Sequence, residues 1–249
     1  MEYQHPLAAR QSTTNIWLAG AATGLGTILL GLSSLLIAQE QDLPGQEPPN
    51  IAVLATEITD ARKQNAAEMR NYSWNTRTEV KMDGEIKSVK VELIRFTPEG
   101  ELQKATVSDS AEGAKKPRGI RGKVASNKVK GMQEWAAELG KLLEQYGLPT
   151  AGSLLDFLDS ATVERTGQMV NLLGSNVIQQ GDHMSMLVDA GNKQLKIIEV
   201  QTSLDGDAVD VQIISKNLDD GLSYTARQVV KVPGKKVELS IENYDFRRQ

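Results

Sequence analysis

The sequence predicts a mainly β protein of the α+β class, built on a strongly curved antiparallel sheet or unclosed β-barrel with an N-terminal helix and a helical insert. Three observations predict this fold. Many runs alternate apolar and polar residues and are joined by Asp-Gly or Pro-Gly turns, which is typical of hairpins. Two stretches have a helical period instead. Hairpin-linked strands without long crossovers make an antiparallel sheet, and one of about nine strands must curl or close.

An uncharged apolar stretch lies near the N-terminus, where residues 16–38 read IWLAGAATGLGTILLGLSSLLIA. This length matches the roughly 20 apolar residues of a transmembrane helix, so we expect a membrane anchor. Arg10 precedes it, and Glu40 and Asp42 follow it, which predicts a cytoplasmic segment at residues 1–15. The alternative is a signal peptide cleaved after Ala38. Both interpretations export residues 39–249, either as the periplasmic part of a single-pass inner-membrane protein or as a periplasmic protein.

Two further features belong to this region. Gly20 and Gly24 form a G-x-x-x-G pattern, which has two interpretations: a homodimer contact between two anchors, or small residues facing lipid. Residues 39–50 are polar and contain three prolines, so we expect a linker between the anchor and the domain at residues 51–249.

The first half of the domain begins with a helix from Ile51 to about residue 70, with apolar residues on one face. Strands follow at 72–82, 85–97 and 101–108, and Asp83-Gly84 makes the first hairpin turn. In the second strand Val89, Val91 and Leu93 alternate with charged residues. We therefore expect these three side chains on the buried face of the sheet.

The second half begins with the helical insert at residues 131–160. Trp135, Leu139 and Leu142 recur at helical spacing, Gly147 and Pro149 end this helix, and a short helix follows at 153–160. Strands are then predicted to the end of the chain, with Met184, Met186 and Val188 alternating onto one face. Their ranges are 168–178, 183–189, 194–203, 207–215, 222–232 and 236–246.

Composition excludes several classes of function. A net charge of −4 and 4% aromatic residues argue against a nucleic-acid partner. The absence of cysteine excludes disulfides, thiol catalysis and a lipidated N-terminal cysteine.

Motifs for catalysis are equally scarce. The two histidines, His5 and His183, are expected on opposite sides of the membrane, which leaves no zinc ligand set. Phosphate-binding, dinucleotide-binding and serine-hydrolase motifs are missing as well. An Asp182–His183 dyad and calcium binding at Asp205 and Asp207 or at Asp219 and Asp220 are alternatives, but turn chemistry explains these residues. We expect no enzyme activity, no metal and no cofactor.

A basic segment at residues 115–130 stands out on this acidic chain, with seven cations and no acid from 114 to 130. One interpretation is contact with anionic head groups or an acidic partner. The other is a solvated loop. The cations are Lys115, Lys116, Arg118, Arg121, Lys123, Lys128 and Lys130.

The layout of an N-terminal helix, a curved antiparallel sheet and a helical insert resembles the LolA/LolB-like family of lipoprotein carriers, in particular its uncharacterised exported bacterial members. Two stretches of sequence resemble these members as well: YSWNTRTEVKMDGEIKSVKVELIRF and SLDGDAVDVQI…VELSIENYDF. The resemblance implies an unclosed β-barrel whose concave apolar face is covered by helices and accepts acyl chains. This chain departs from the family in lacking a lipidated cysteine and in having a predicted anchor, which favours a tethered domain over a mobile shuttle.

Two hypotheses about function follow. The first is a membrane-tethered extracytoplasmic domain that binds lipid or lipoprotein acyl chains without catalysis. The second is a structural subunit of a cell-envelope membrane complex, held to partner proteins by the anchor and the basic segment. An unfilled apolar cavity favours the first, and a close-packed interior favours the second. The residues predicted to line the cavity are Val89, Val91, Leu93, Met184, Met186 and Val188, with Trp135, Leu139 and Leu142 as its lid.

Overall fold

The computed structural model describes residues 51–111, 120–147 and 150–249. The predicted anchor at 16–38 and linker at 39–50 lie outside these ranges. Within them, helices α1 (Ile51–Met69), α2 (Ile120–Gln145) and α3 (Ala151–Ser160) are found, and none is long and apolar enough to cross a membrane. The α3 helix starts with a capping box, in which the Thr150 hydroxyl accepts the Ser153 amide and the Ser153 hydroxyl accepts the Thr150 amide.

Ten strands make up one antiparallel sheet. They are β1 (Tyr72–Met82), β2 (Glu85–Phe96), β3 (Leu102–Ala111), β4 (Thr162–Thr166), β5 (Met169–Ser175), β6 (His183–Asp189), β7 (Gln194–Leu204), β8 (Asp207–Asn217), β9 (Ser223–Val232) and β10 (Val237–Arg248). Asp83 and Gly84 both have positive φ in the β1–β2 turn, as do Asp205 and Gly206 in the β7–β8 turn. These are the backbone angles that two-residue hairpin turns require, which confirms the predicted Asp-Gly hairpins.

The sheet is open, with β3 and β4 as its two edges and the order β3-β2-β1-β10-β9-β8-β7-β6-β5-β4. The chain forms a meander from β1 to β3 and then passes through α2 and α3 to the opposite edge. From β4 it meanders back until β10 pairs with β1. The α2 and α3 helices therefore lie in the connection between the two edges and, together with α1, cover one face of the sheet, here called the inner face. The mainly β, antiparallel and unclosed architecture predicted from the sequence is confirmed.

Two elements differ from the prediction. The helical insert is longer, because α2 begins at Ile120 rather than near residue 131, and residues 120–130 are thus helical instead of a loop. Residues 120–130 carry so many charged side chains that no helical period of apolar residues is visible in their sequence. A tenth strand, β4, was not predicted, since all five residues of TVERT are exposed and so carry no buried alternation. It pairs with β5 across a turn at Gly167, which has a φ of 61°.

The hydrophobic core lies between the helices and the inner face of β5–β9. Each helix contributes one stripe: Leu54, Ala55 and Ile58 from α1, Trp135, Leu139 and Leu142 from α2, and Leu154, Phe157 and Leu158 from α3. Opposite them, Met184, Met186 and Val188 on β6 are at most 2% exposed. Strands β1–β3 contribute no residue to this cluster. The inner face thus has a covered half and a more open half.

Strand register assigns every residue to one of the two faces, because directly paired residues in an antiparallel sheet share a face. One row of paired residues crosses the sheet: Met186, Ile198, Ile213, Gln228, Ile241, Thr78 and Lys90. Lys90 therefore lies on the inner face with Met186. Its neighbours Val89 and Val91 lie on the outer face, as does Leu93, which is 36% exposed.

The prediction that Val89, Val91 and Leu93 share a concave face with the β6 methionines is corrected by this register. On β2 the inner face carries Lys90 and Glu92, which form an ion pair at 2.6 Å. Charged residues are accommodated there because the helical stripes of the core do not reach this end of the sheet.

Candidate functional site

A cavity of about 430 Å³ lies between the second half of α1 and the inner face of the sheet. It begins where the packed core ends, since the core uses Leu54, Ala55 and Ile58 from the first half of the same helix. The helix wall of the cavity contains Ala61, Ala66 and Met69. Alanine side chains are too short to fill the distance between a helix and a sheet, so the space stays open.

The floor of the cavity is formed by strands β7–β9. Leu195, Ile198 and Ile213 supply apolar side chains, and Gln228 supplies one amide. Ile198, Ile213 and Gln228 also line a small adjoining space of about 30 Å³ beside the C-terminal end of α2. The floor is therefore continuous beneath both helices.

An aromatic cluster borders one end of the cavity and consists of Trp74, Phe96, Tyr224 and Phe246. The Trp74 ring stacks on Phe246 with centroids 5.7 Å apart, and Phe96 lies 6.2 Å from Trp74. Tyr224 packs on Phe246 at 4.3 Å. Four of the eleven aromatic residues of the chain, counted as three Trp, five Tyr and three Phe, thus collect at one site. Such rings bury large apolar areas at low cost in conformational entropy.

Polar contacts fix α1 above the cavity. The Asn65 amide donates to the Ser223 carbonyl at 2.6 Å and accepts the Ser223 amide at 2.7 Å. Arg62 donates to the Gly147 carbonyl at 2.9 Å, and Lys193 forms an ion pair with Glu57 at 3.0 Å. The second half of α1 is therefore held to β9 and to the end of α2 by hydrogen bonds, and its apolar side faces the cavity.

The charged groups that line the cavity, among the residues the structure describes, are both cations. They are Arg62 and Lys193. The Arg62 side chain is half-buried, and this burial lowers the pKa of its guanidinium below the ordinary value. Arginine remains protonated despite such a shift. The cavity consequently combines apolar walls with positive charge.

A buried polar network supports the floor from the side of α2. The Tyr146 hydroxyl bonds to the Asp182 carboxylate at 2.6 Å and to the Thr202 hydroxyl at 2.7 Å. Burial alone would raise the pKa of Asp182. Hydrogen bonds from Tyr146 and from the amides of Gln179, Ile178 and Val177 outweigh it and hold that pKa below its usual range. Burial and the bond to Asp182 raise the pKa of Tyr146.

This network also accounts for the Asp182–His183 pair. Asp182 is 1% exposed and engages Tyr146, whereas the His183 ring lies 3.0 Å from the Ser175 hydroxyl on the exposed side. The two side chains thus have separate partners. Of the calcium candidates, Asp207 pairs with Lys235 at 2.9 Å and Asp220 accepts the Tyr72 hydroxyl. No group of three metal-ligating side chains occurs within the described ranges.

The residues predicted for the site divide into two groups. Trp135, Leu139 and Leu142 on α2 do face Met184, Met186 and Val188, but they meet in the packed core rather than across an open space. Val89, Val91 and Leu93 lie on the outer face. The cavity is instead lined by α1 and by β7–β10, and the helical face containing Ala61 and Asn65 was the available signal in the sequence.

The basic segment is only partly described. Arg121, Lys123, Lys128 and Lys130 lie on the first turns of α2, and their side chains are not among those described. Lys115, Lys116 and Arg118 fall between the described ranges. Contact of this segment with an anionic surface remains a prediction.

Comparisons with known proteins found solved structures of low similarity. No family model and no curated protein matches the chain. A DUF1329 family protein from Desulfovibrio piger aligns with 80% of this chain and 92% of its own, at 7% identity and a TM-score of 0.34. A LolA superfamily protein from Nitrosomonas europaea aligns with 78% of this chain and 93% of its own, at 10% identity and a TM-score of 0.32. Identities and scores this low say nothing about the site. The arrangement predicted from the sequence, an open antiparallel sheet with helices over one face, is the arrangement that the structure has.

Proposed function

We propose that this protein binds an acyl chain, or another apolar group of a lipid or lipoprotein, in the cavity between α1 and the sheet, without covalent chemistry. The observation that carries the proposal is the cavity itself. Its volume of about 430 Å³ falls within the range of about 300–1,000 Å³ typical of small-molecule sites. Burial of each methylene group contributes about 0.8 kcal/mol, so apolar walls alone can hold an acyl chain.

In this proposal the domain works while tethered. The uncharged segment at residues 16–38 serves as an inner-membrane anchor, and residues 51–249 lie on the periplasmic side. A tethered domain meets ligands close to its own membrane. This geometry suits reception or presentation of a lipid better than transport across the periplasm.

The second candidate is a structural subunit of a membrane complex. It is favoured by the covered half of the inner face, where Met184, Met186 and Val188 are fully buried beneath α2 and α3. A close-packed interior of this kind serves a scaffold equally well. The two candidates differ in whether the cavity under α1 is occupied.

Native mass spectrometry of the full chain, purified from bacterial membranes in a neutral detergent, tests the proposal together with lipid extraction. We expect a bound lipid at one per chain, which Ile213→Asp abolishes because a carboxylate then lies on the cavity floor. Ile214→Asp is the matched control. Ile214 is half-buried like Ile213 and lies next to it on β8, but its side chain faces the opposite side of the sheet. A chain free of lipid that also fails to take up added phospholipid or acylated peptide would favour the scaffold.

A further inference from the structure

The strand β3 leaves one edge of the sheet open. It is ten residues long and pairs with β2 on one side, and no other strand that the structure describes pairs with its second side. Residues 103–110 are exposed, and the Val107 side chain is 63% exposed. The backbone amides and carbonyls of such an edge can pair with a further strand. The residues of β3 indicate which strand fits.

A β-bulge at Val107 divides β3 into two halves. Val91 pairs with Ser108 and Glu92 pairs with Thr106, which leaves Val107 without a partner on β2. The extra residue shifts the alternation of side chains by one position. Two residues on opposite sides of the bulge therefore share a face when an odd number of positions separates them.

Lys104 and Asp109 share the inner face for this reason. They pair with Ile94 and Lys90 on β2, and both of these residues lie on the inner face. Neither Lys104 nor Asp109 forms an ion pair with another residue that the structure describes. The open edge thus carries one cation and one anion on the same face, on either side of the bulge.

A second copy of β3 fits this edge in one register. A two-fold axis normal to the sheet keeps the two faces distinct, so inner-face residues must oppose inner-face residues. When the axis passes between Thr106 and Val107, the two bulges coincide and Lys104 of each copy lies opposite Asp109 of the other. A displacement by one position opposes residues of different faces, and a displacement by two separates the charges.

The other open edge, β4, does not fit a copy of itself. It has five residues, so the fully paired register places Glu164 opposite the same residue of the second copy. Like charges directly opposite each other destabilise a strand pair. Pairing of β3 with β4 of a further copy would not close and would produce a fibre. A bulge and a lysine such as Lys104 hinder pairing with unrelated strands, which protects the edge from aggregation.

We propose that β3 is a contact surface for a second copy of this chain, paired antiparallel about an axis between Thr106 and Val107, with Lys104 of each copy opposite Asp109 of the other. No β3 residue is among the described residues that line the cavity under α1, so the contact is separate from the proposed lipid site. One pair of strands is a small interface, and we expect a reversible dimer. Confinement of both copies to one membrane by the predicted anchor raises their effective concentration.

Cross-linking of the full chain in native membranes tests the register. The chain has no cysteine, so one substitution gives a single reactive thiol. Val107→Cys lies next to the axis, and a short bis-maleimide should join two copies there. Gln103→Cys is the matched control on the same exposed strand. Its two copies would lie about 24 Å apart along the strands, at ~3.4 Å per residue, and should not be joined.

Charge reversal separates pairing from folding. In the Val107→Cys chain, either Lys104→Asp or Asp109→Lys places like charges opposite each other twice across the axis. We expect each variant alone to lower the cross-linked fraction at least about fivefold. The two variants produced together, with different affinity tags, should cross-link to each other, because both pairs across the axis then have opposite charges. A strand that has merely lost its fold would not recover in the mixture.

Three results would overturn the proposal. Gln103→Cys that cross-links as efficiently as Val107→Cys would contradict the register. Charge variants that cross-link like the parent chain, or a loss that the mixture does not recover, would show that these charges do not join two copies. Absence of cross-linking in Val107→Cys itself would contradict the dimer and leave the proposed lipid site unaffected.

Discussion

Gly174 on β5 lies against the core with no room for a side chain. A Cβ at this position would collide with the Phe157 ring of α3, and Phe157 is almost fully buried. We expect Gly174→Ala to lower the free energy of unfolding by about 1–3 kcal/mol, because the ring must shift in a close-packed interior. Urea denaturation followed by circular dichroism measures this change.

Gly131 is the matched comparison. It lies on α2, is exposed, and a Cβ there meets nothing within 4 Å. Gly131→Ala should raise the free energy of unfolding by about 0.5–1 kcal/mol, since alanine favours a helix interior. Equal effects of the two substitutions would contradict the packing described for Gly174.

Asp182 makes stability depend on pH. The pKa of Asp182 is lower in the folded protein than its ordinary value of about 3.9. Its contribution to the free energy of unfolding is therefore present above that ordinary pKa and is lost as the pH falls through the pKa of the folded state. Asp182→Asn should lose about 1–3 kcal/mol at neutral pH, since the network then lacks its charged acceptor. The variant should also show a smaller loss of stability on acidification below about pH 4.

Chemical denaturation at a series of pH values measures both effects. Asp219→Asn, in an exposed turn, is the control and should follow the parent protein. A steep acid dependence that survives in Asp182→Asn would show that another group controls it.

At the scale of elements, α1 depends on one side chain for its placement over the cavity. Asn65→Ala removes two hydrogen bonds and leaves the amide and carbonyl of Ser223 without that partner. We expect faster hydrogen exchange in residues 61–69 and a loss of about 1–3 kcal/mol. Gln64→Ala, exposed on the same helix, should change neither quantity by much. Protection unchanged in Asn65→Ala would show that apolar contacts alone place the helix.

The elements predicted correctly are those that local chemistry determines. Asp83-Gly84 specifies a tight turn wherever it occurs, so its hairpin follows from two residues. The face of the sheet to which the β2 side chains point cannot be predicted from local residues in this way. Val89 and Val91 alternate like core residues, yet their face depends on pairing with β1 and, through it, with β10 at the far end of the chain.

The position of the cavity also could not be predicted from local sequence. It depends on the distance between α1 and the sheet, which Ala61 and Ala66 leave unfilled. The methionines Met184 and Met186 fit an adaptable cavity and a packed core equally well by composition. In the structure, α2 and α3 pack against Met184 and Met186, so these methionines belong to the packed core.

At the scale of the whole molecule, the two halves of the open sheet have different roles: one forms the packed core, and the other completes the cavity. Strands β5–β9 and the three helices form the rigid core, and β10, β1 and β2 extend beyond it to complete the cavity. The first and last strands of the sheet in chain order, β1 and β10, pair with each other in this part of the fold. The binding space therefore lies beside the packed core and beneath the second half of α1, the helix that follows the predicted anchor and linker.

The location of the ligand is the central claim, and Trp74 reports on it directly. The chain has three tryptophans, and of the two described, Trp74 lines the cavity while Trp135 lies in the core. Addition of a brominated palmitate to the full chain should quench tryptophan fluorescence saturably, and Trp74→Phe should remove most of that quenching while binding persists. Quenching of the same size in Trp74→Phe, or none in the parent protein at saturating ligand, would contradict binding in the cavity beneath α1.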